Sequence, residues 1–111
     1  MSHHVDPPIE EADANATVAG LAADPTAVLV DVREPEEWRE GHAPAARHLP
    51  MRTVPDELAT LPRDAPIYLV CRSGSRSHTV AAYLRDAGFR RPINVAGGMI
   101  AWARAGLPVE R

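Results

Sequence analysis

Apolar side chains occur along this chain either in short unbroken runs or at helical spacing, and the two patterns alternate from end to end. Val28-Leu29-Val30-Asp31-Val32 lies between Pro25 and Pro35, and so short a run rich in β-branched residues predicts a strand buried on both faces. Ile67-Tyr68-Leu69-Val70 predicts a second, with Cys71 at its C-terminal end. Between and after them the spacing changes. Val80, Ala81, Leu84 and Ala87 share one face of a predicted helix over Ser77–Ala87, which Gly88 stops. Pro35–Glu40 opens with proline and acids and meets Gly41, the pattern of a short helix with a glycine C′. Thr53–Leu61 reads as another helix, with Thr53 as N-cap and Pro62 past its end. Weaker signals predict strands at Ile9–Ala12, Arg47–Leu49 and Ile93–Val95, and helices at Thr17–Ala22 and Met99–Ala105. Gly97-Gly98 precedes the last helix, and Gly106 and Pro108 close it. Strands alternating with helices predict an α/β fold around a mainly parallel sheet.

The chain of 111 residues suits one such domain, assigned to residues 9–111, with residues 1–8 as a loose polar arm. Its apolar runs are far shorter than a membrane span. The first residues have neither a basic start nor an apolar core, so no secretion signal is read and a cytoplasmic location is expected. His3 and His4 are compatible with a tag remnant. A net charge of −3 without a basic stripe argues against nucleic acid as a partner. All 12 basic residues are arginine, which excludes Schiff-base and lysine-nucleophile chemistry. With 1 cysteine there is no internal disulfide and no multi-cysteine metal site, and neither metal nor cofactor is expected.

That cysteine opens the segment Cys71-Arg72-Ser73-Gly74-Ser75-Arg76-Ser77, a polar loop between a strand end and a helix start. Ligands of open α/β sheets bind outside the carboxyl ends of strands. A loop of small residues lets successive N–H groups converge into an anion cradle. The following helix adds its unpaired N–H groups and its dipole. A thiol at the focus is stabilised as thiolate, the nucleophilic form, and Arg72 and Arg76 supply permanent charge. A lone cysteine is more often a small core residue. A core residue has no use for an adjacent anion loop, and this favours Cys71 as nucleophile, with Arg72, Ser73, Gly74, Ser75, Arg76 and Ser77 as the binding loop.

Other residues are weighed against plainer roles. Asp31 and Arg33 at the end of the first buried strand either support the loop from below or form a structural ion pair. His42 is read as a hydrogen-bonded structural histidine, since a preformed thiolate needs no base, and His48 and His78 are unremarkable. Trp38 and Trp102 are packing residues, with Met99 and Trp102 as candidate walls of the pocket. Glu34, Glu36, Glu37 and Glu40 read as a solvated helix face.

Val28–Pro50, Cys71–Ser77 and Asn94–Val109 together resemble the rhodanese homology domain, in the family's order and spacing. The resemblance spans about Ile9 to Val109. It implies a five-stranded parallel sheet flanked by helices, with the cysteine loop as active site. It also implies sulfur transfer from an anionic donor such as thiosulfate to a thiophilic acceptor (cyanide, a small thiol or a protein thiol). In one place the chain departs from the family. Where the first signature usually reads Gly-His-Ile-Pro-Gly-Ala, Ala43 and Ala45 replace the isoleucine and the second glycine, which matters if position 45 needs a positive φ. Two other functions fit the same fold. A phosphatase or arsenate reductase is disfavoured because Ser77 stands where those relatives carry an arginine, in a loop one residue longer. A non-catalytic binding module is disfavoured because Cys71 and its loop are present.

Overall fold

The computed structural model describes residues 8–111. Of the expected arm, residues 1–7 lie outside the described residues, and Pro8 is exposed. The elements follow in the order β1 (Glu10–Ala12), α1 (Ala14–Ala23), β2 (Val28–Asp31), α2 (Pro35–Glu40), β3 (Ala46–His48), a 3₁₀ helix (Met51–Thr60), β4 (Pro66–Val70), α3 (Ser75–Asp86), β5 (Arg91–Val95) and α4 (Gly98–Arg104). The five strands make one parallel sheet in the order β1-β5-β4-β2-β3. The α/β parallel architecture expected from the sequence is therefore the one formed.

Strand alternation sorts the core into two layers. On one face Val30, Val32, Ile67, Leu69 and Cys71 meet Val54 of the 3₁₀ helix and Val80, Ala81 and Leu84 of α3. On the other, Leu29, Tyr68, Val70, Ile93 and Val95 meet Ala14 of α1 and Met99 and Trp102 of α4. Consecutive side chains of a strand point to opposite faces, so a continuous apolar run feeds both layers. Cys71 continues the alternation of Ile67 and Leu69, which turns its side chain toward α3. The chain runs outward from β2 to β3 and then returns to lay β4 on the other side of β2. The crevice at the carboxyl ends of β2 and β4 is thus a topological switch point, where such sheets bind ligands.

Most elements form where expected, with shifted bounds. α1 begins earlier than Thr17 because Asp13 caps it, its Oδ1 accepting from the Ala16 N–H at 2.8 Å. The segment expected as an α-helix over Thr53–Leu61 is instead the 3₁₀ helix, preceded by Pro50 rather than capped by Thr53. Pro55 lies inside it and lacks the N–H that an α-helical bond requires, while the Thr53 hydroxyl donates to the Pro50 carbonyl at 2.7 Å. α3 starts at Ser75 rather than Ser77, which draws the last residues of the cysteine loop into its first turn. No non-glycine residue among those described has a positive φ, so Ala45 fits its backbone, and Ala43 is fully buried in the second layer.

Candidate active site

Cys71 follows the last residue of the central strand β4 and is 1% exposed. Gly74, at φ 113°, folds the loop back so that its N–H donates to the Cys71 sulfur at 3.1 Å. Ser77, in the first turn of α3, brings its Oγ within 3.2 Å of the same sulfur. Behind the loop, the Met99 N–H donates to the Cys71 carbonyl at 2.8 Å and the Ile100 N–H to the Arg72 carbonyl at 3.1 Å. Gly98, at φ 57°, makes that approach sterically possible, since a Cβ there would meet the carbonyl oxygens of Cys71 and Arg72. The loop is therefore gripped from two sides, by α3 through its own chain and by the start of α4.

The electrostatics favour the anion. Burial, the largest single influence, pushes the Cys71 thiol up. Hydrogen bonds that the thiolate can accept from the Ser77 hydroxyl and from the N–H groups of Ser77, Gly74 and Ser73 outweigh it, and the thiol ends below its ordinary value. The two arginines of the loop differ. Arg72 and the neighbouring Ser73 are exposed, and Arg72 lines a cleft with Arg33, Glu37, Glu40, Met99 and Ile100. Arg76 instead makes a two-pronged pair with Glu37, at 2.7 and 2.8 Å. Reading Glu37 as part of a solvated face is therefore corrected. Its carboxylate joins α2 to α3, also accepts from the Glu34 N–H at 3.1 Å, and is drawn down to about 2, chiefly by the Arg76 hydrogen bonds.

Asp31 and Arg33 form a buried ion pair. Asp31 accepts from the Arg33 N–H and Nε at 3.0 Å and from Nη2 at 2.8 Å, while Nη2 also donates to the Gly41 carbonyl at 2.8 Å. They fasten the end of β2 to the end of α2, with hydrogen bonds to each other and to the Glu37 and Gly41 carbonyls rather than to the cysteine loop. Trp38 is stacked between His42 and His48, with ring centroids 3.5 and 4.7 Å away. The His42 Nδ1–H donates to the Trp38 carbonyl and the His48 Nε2–H to the Arg33 carbonyl, so His48 has a structural partner that sequence reading did not anticipate. Met99 stands at the mouth, whereas Trp102 is buried in the second layer with its indole N–H on the Pro108 carbonyl. His78 is exposed.

Sequence reading missed Asn94. Its side chain is 3% exposed on β5, accepts from the Ser77 hydroxyl at 2.6 Å and donates to the Gly74 carbonyl at 3.0 Å. The one available cue was a polar residue inside the apolar run Ile93-Asn94-Val95. Among the described residues no group of three or more His, Cys, Asp or Glu side chains is placed to hold a metal ion.

The model of the rhodanese-like domain family matches residues 14–105. A sulfurtransferase of Allochromatium vinosum is 41% identical over 101 residues, covering 91% of this chain and 94% of that protein. The thiosulfate sulfurtransferase GlpE of Pseudomonas putida is 42% identical over 84 residues, 76% of each chain. A crystal structure of a rhodanese-like domain protein from Staphylococcus aureus superposes with a TM-score of 0.81 at 34% identity, covering 93% of this chain and all of that one. With the parallel sheet, the cysteine at the end of its central strand and these likenesses in hand, the chain belongs to the rhodanese-like domain family.

Proposed function

We propose that this protein is a sulfurtransferase that carries sulfane sulfur as a persulfide on Cys71. The observation that carries the reading is the Cys71 sulfur set between the Gly74 N–H and the Ser77 hydroxyl, at the switch point of the sheet. Relatives named sulfurtransferase and thiosulfate sulfurtransferase support it. The Cys71 thiolate attacks the outer sulfur of an anionic donor such as thiosulfate. The S–S bond of the donor breaks, sulfite leaves with the bond's electron pair, and Cys71–S–S⁻ remains. A thiophilic acceptor (cyanide, a small thiol or a protein thiol) then takes the outer sulfur and restores the thiolate. Two half-reactions sharing one covalent intermediate give ping-pong kinetics. The N–H groups of Arg72 to Ser77 stabilise the persulfide charge, and the exposed Arg72 guanidinium steers the donor anion. Arg76 contributes through Glu37, whose negative charge it neutralises at the rim. Asp31 and Arg33 support this framework from the end of β2. A cytoplasmic site of action and the absence of any cofactor belong to the same proposal.

Mass spectrometry of the intact protein after incubation with thiosulfate tests the reading. The expected result is a gain of one sulfur atom, located on Cys71, removed by cyanide with release of thiocyanate, and absent from Cys71→Ser. Robust thiosulfate:cyanide turnover by Cys71→Ser overturns the assignment of the nucleophile. Absence of sulfur uptake by a folded wild-type protein from thiosulfate and from persulfide donors overturns the reading, as does turnover of an aryl phosphate at a comparable rate.

A further inference from the structure

The Ser77 hydroxyl has one proton and two neighbours that compete for it. Its oxygen lies 2.6 Å from Asn94 Oδ1 and 3.2 Å from the Cys71 sulfur. The amide orientation of Asn94 leaves no ambiguity about the first contact. Asn94 Nδ2 donates to the Glu11 carboxylate at 3.1 and 3.2 Å and to the Gly74 carbonyl at 3.0 Å, and both of those groups only accept. Oδ1 therefore faces Ser77 and can only accept from it. With the hydroxyl proton on Asn94, the serine oxygen presents its lone pairs to Cys71, and a neutral thiol donates to it. The chain S–H to O–H to amide oxygen is complete only while the thiol keeps its proton.

We infer that Asn94 is a positioning residue that competes with the Cys71 sulfur for the Ser77 hydroxyl proton, and so restrains thiolate formation while the sulfur is unloaded. When the thiol loses its proton to solvent, the hydroxyl serves the sulfur anion only by turning away from Asn94. That leaves a buried amide oxygen without a donor, and an unsatisfied buried acceptor is costly. In the persulfide the charge moves to the outer sulfur. The inner sulfur becomes a weak acceptor, and the hydroxyl returns to Asn94. Asn94 thus favours the protonated thiol and the persulfide over the free thiolate. It also holds the Gly74 peptide, whose N–H touches the sulfur from the other side.

The charged groups around the sulfur are few and come from several elements. Arg76 of α3 is neutralised by Glu37 of α2, and Arg72 stands at the exposed rim. Glu11 of β1 is placed behind Asn94, and the Asp31–Arg33 pair closes the end of β2. The start of α4 brings backbone N–H groups and no charged side chain to the loop.

The inference deepens the sulfurtransferase reading, but its tests examine the thiol alone and need no sulfur donor. Failure of either can therefore be told from failure of the other. Asn94→Ala frees the hydroxyl for the sulfur, so the pH midpoint of iodoacetamide alkylation should fall by about 0.5–1 unit. In a Ser77→Ala background the same substitution should no longer lower the midpoint. A midpoint unchanged or raised by Asn94→Ala with Ser77 in place, the signature of a residue that merely packs the loop, overturns the inference, as does a fall that persists without Ser77. Infrared spectroscopy provides a second measurement that needs no change at Asn94. One cysteine has one S–H stretching band, expected at low pH on the hydrogen-bonded side of a free thiol and moved to higher frequency by Ser77→Ala. A wild-type band at the frequency of a free thiol overturns the inference, whether or not the Asn94 variant folds.

Discussion

At the scale of single residues, Cys71 is decided by a contest between burial and hydrogen bonding. A thiol 1% exposed would ordinarily resist ionisation, because the charged form loses its water. Donors from Ser77, Gly74 and Ser73 reverse the outcome and hold the thiol below its ordinary value. The thiolate fraction at neutral pH is therefore raised, and it shrinks only as the pH falls through the lowered value. Alkylation by iodoacetamide, followed against pH by intact mass, should show a midpoint below the free-cysteine value of about 8.5. A midpoint at or above that value would mean that burial wins and that the loop is no preformed anion site. Cysteine type and loop composition were legible in the sequence. The side chains that hold the loop were less so, because Asn94, bound to Ser77 and Gly74, lies on a different strand and Glu37, bound to Arg76, on a different helix.

Between elements, two contacts hold the loop in shape. The first is the Glu37–Arg76 pair between α2 and α3. Because the Glu37 carboxyl is depressed from 4.5 to about 2, its contribution to stability is present above its unfolded value and is lost as the pH falls through about 2. The stability difference between wild type and Glu37→Gln should stay flat from about pH 6 to 8 and shrink between about pH 4.5 and 2. Both side chains are partly exposed, so the plateau is modest, under about 1 kcal/mol. Urea unfolding at several pH values measures it, and a difference that grows toward low pH would contradict the pairing. The second contact is the approach of α4 to the loop at Gly98. Gly98→Ala adds a Cβ against the Cys71 and Arg72 carbonyls in a left-handed backbone. It should destabilise the fold by about 2–4 kcal/mol and slow sulfur loading together with it. Wild-type stability in that variant would mean that the close approach is not required.

Over the whole molecule, stability rests on two apolar layers separated by the sheet. Leu84 and Tyr83 are neighbours on α3 but belong to different environments, fully buried and 40% exposed. Leu84→Ala should cost about 2–5 kcal/mol, whereas Tyr83→Ala should cost under about 1. Equal losses in denaturant titrations would mean that the helix face is misassigned. The apolar runs Val28–Val32 and Ile67–Val70 determined by themselves that buried strands form there, because runs so short and rich in β-branched residues have few other ways to hide from water. Cys71, Gly74 and the serines likewise marked the loop after the second run as the candidate site, because its chemistry lies in consecutive residues. Helix type at Met51–Thr60 was less legible, since periodicity does not separate a 3₁₀ from an α-helix once a proline interrupts the bonding. Only the tertiary structure decided that Arg76 faces Glu37, that Asp31 pairs with Arg33 at the end of β2, and that Asn94 reaches Ser77. Each of these is a choice of partner made after the helices dock. A pattern of apolar spacing specifies which face of an element is buried, but the polar atom that meets another across an interface depends on how the elements come together.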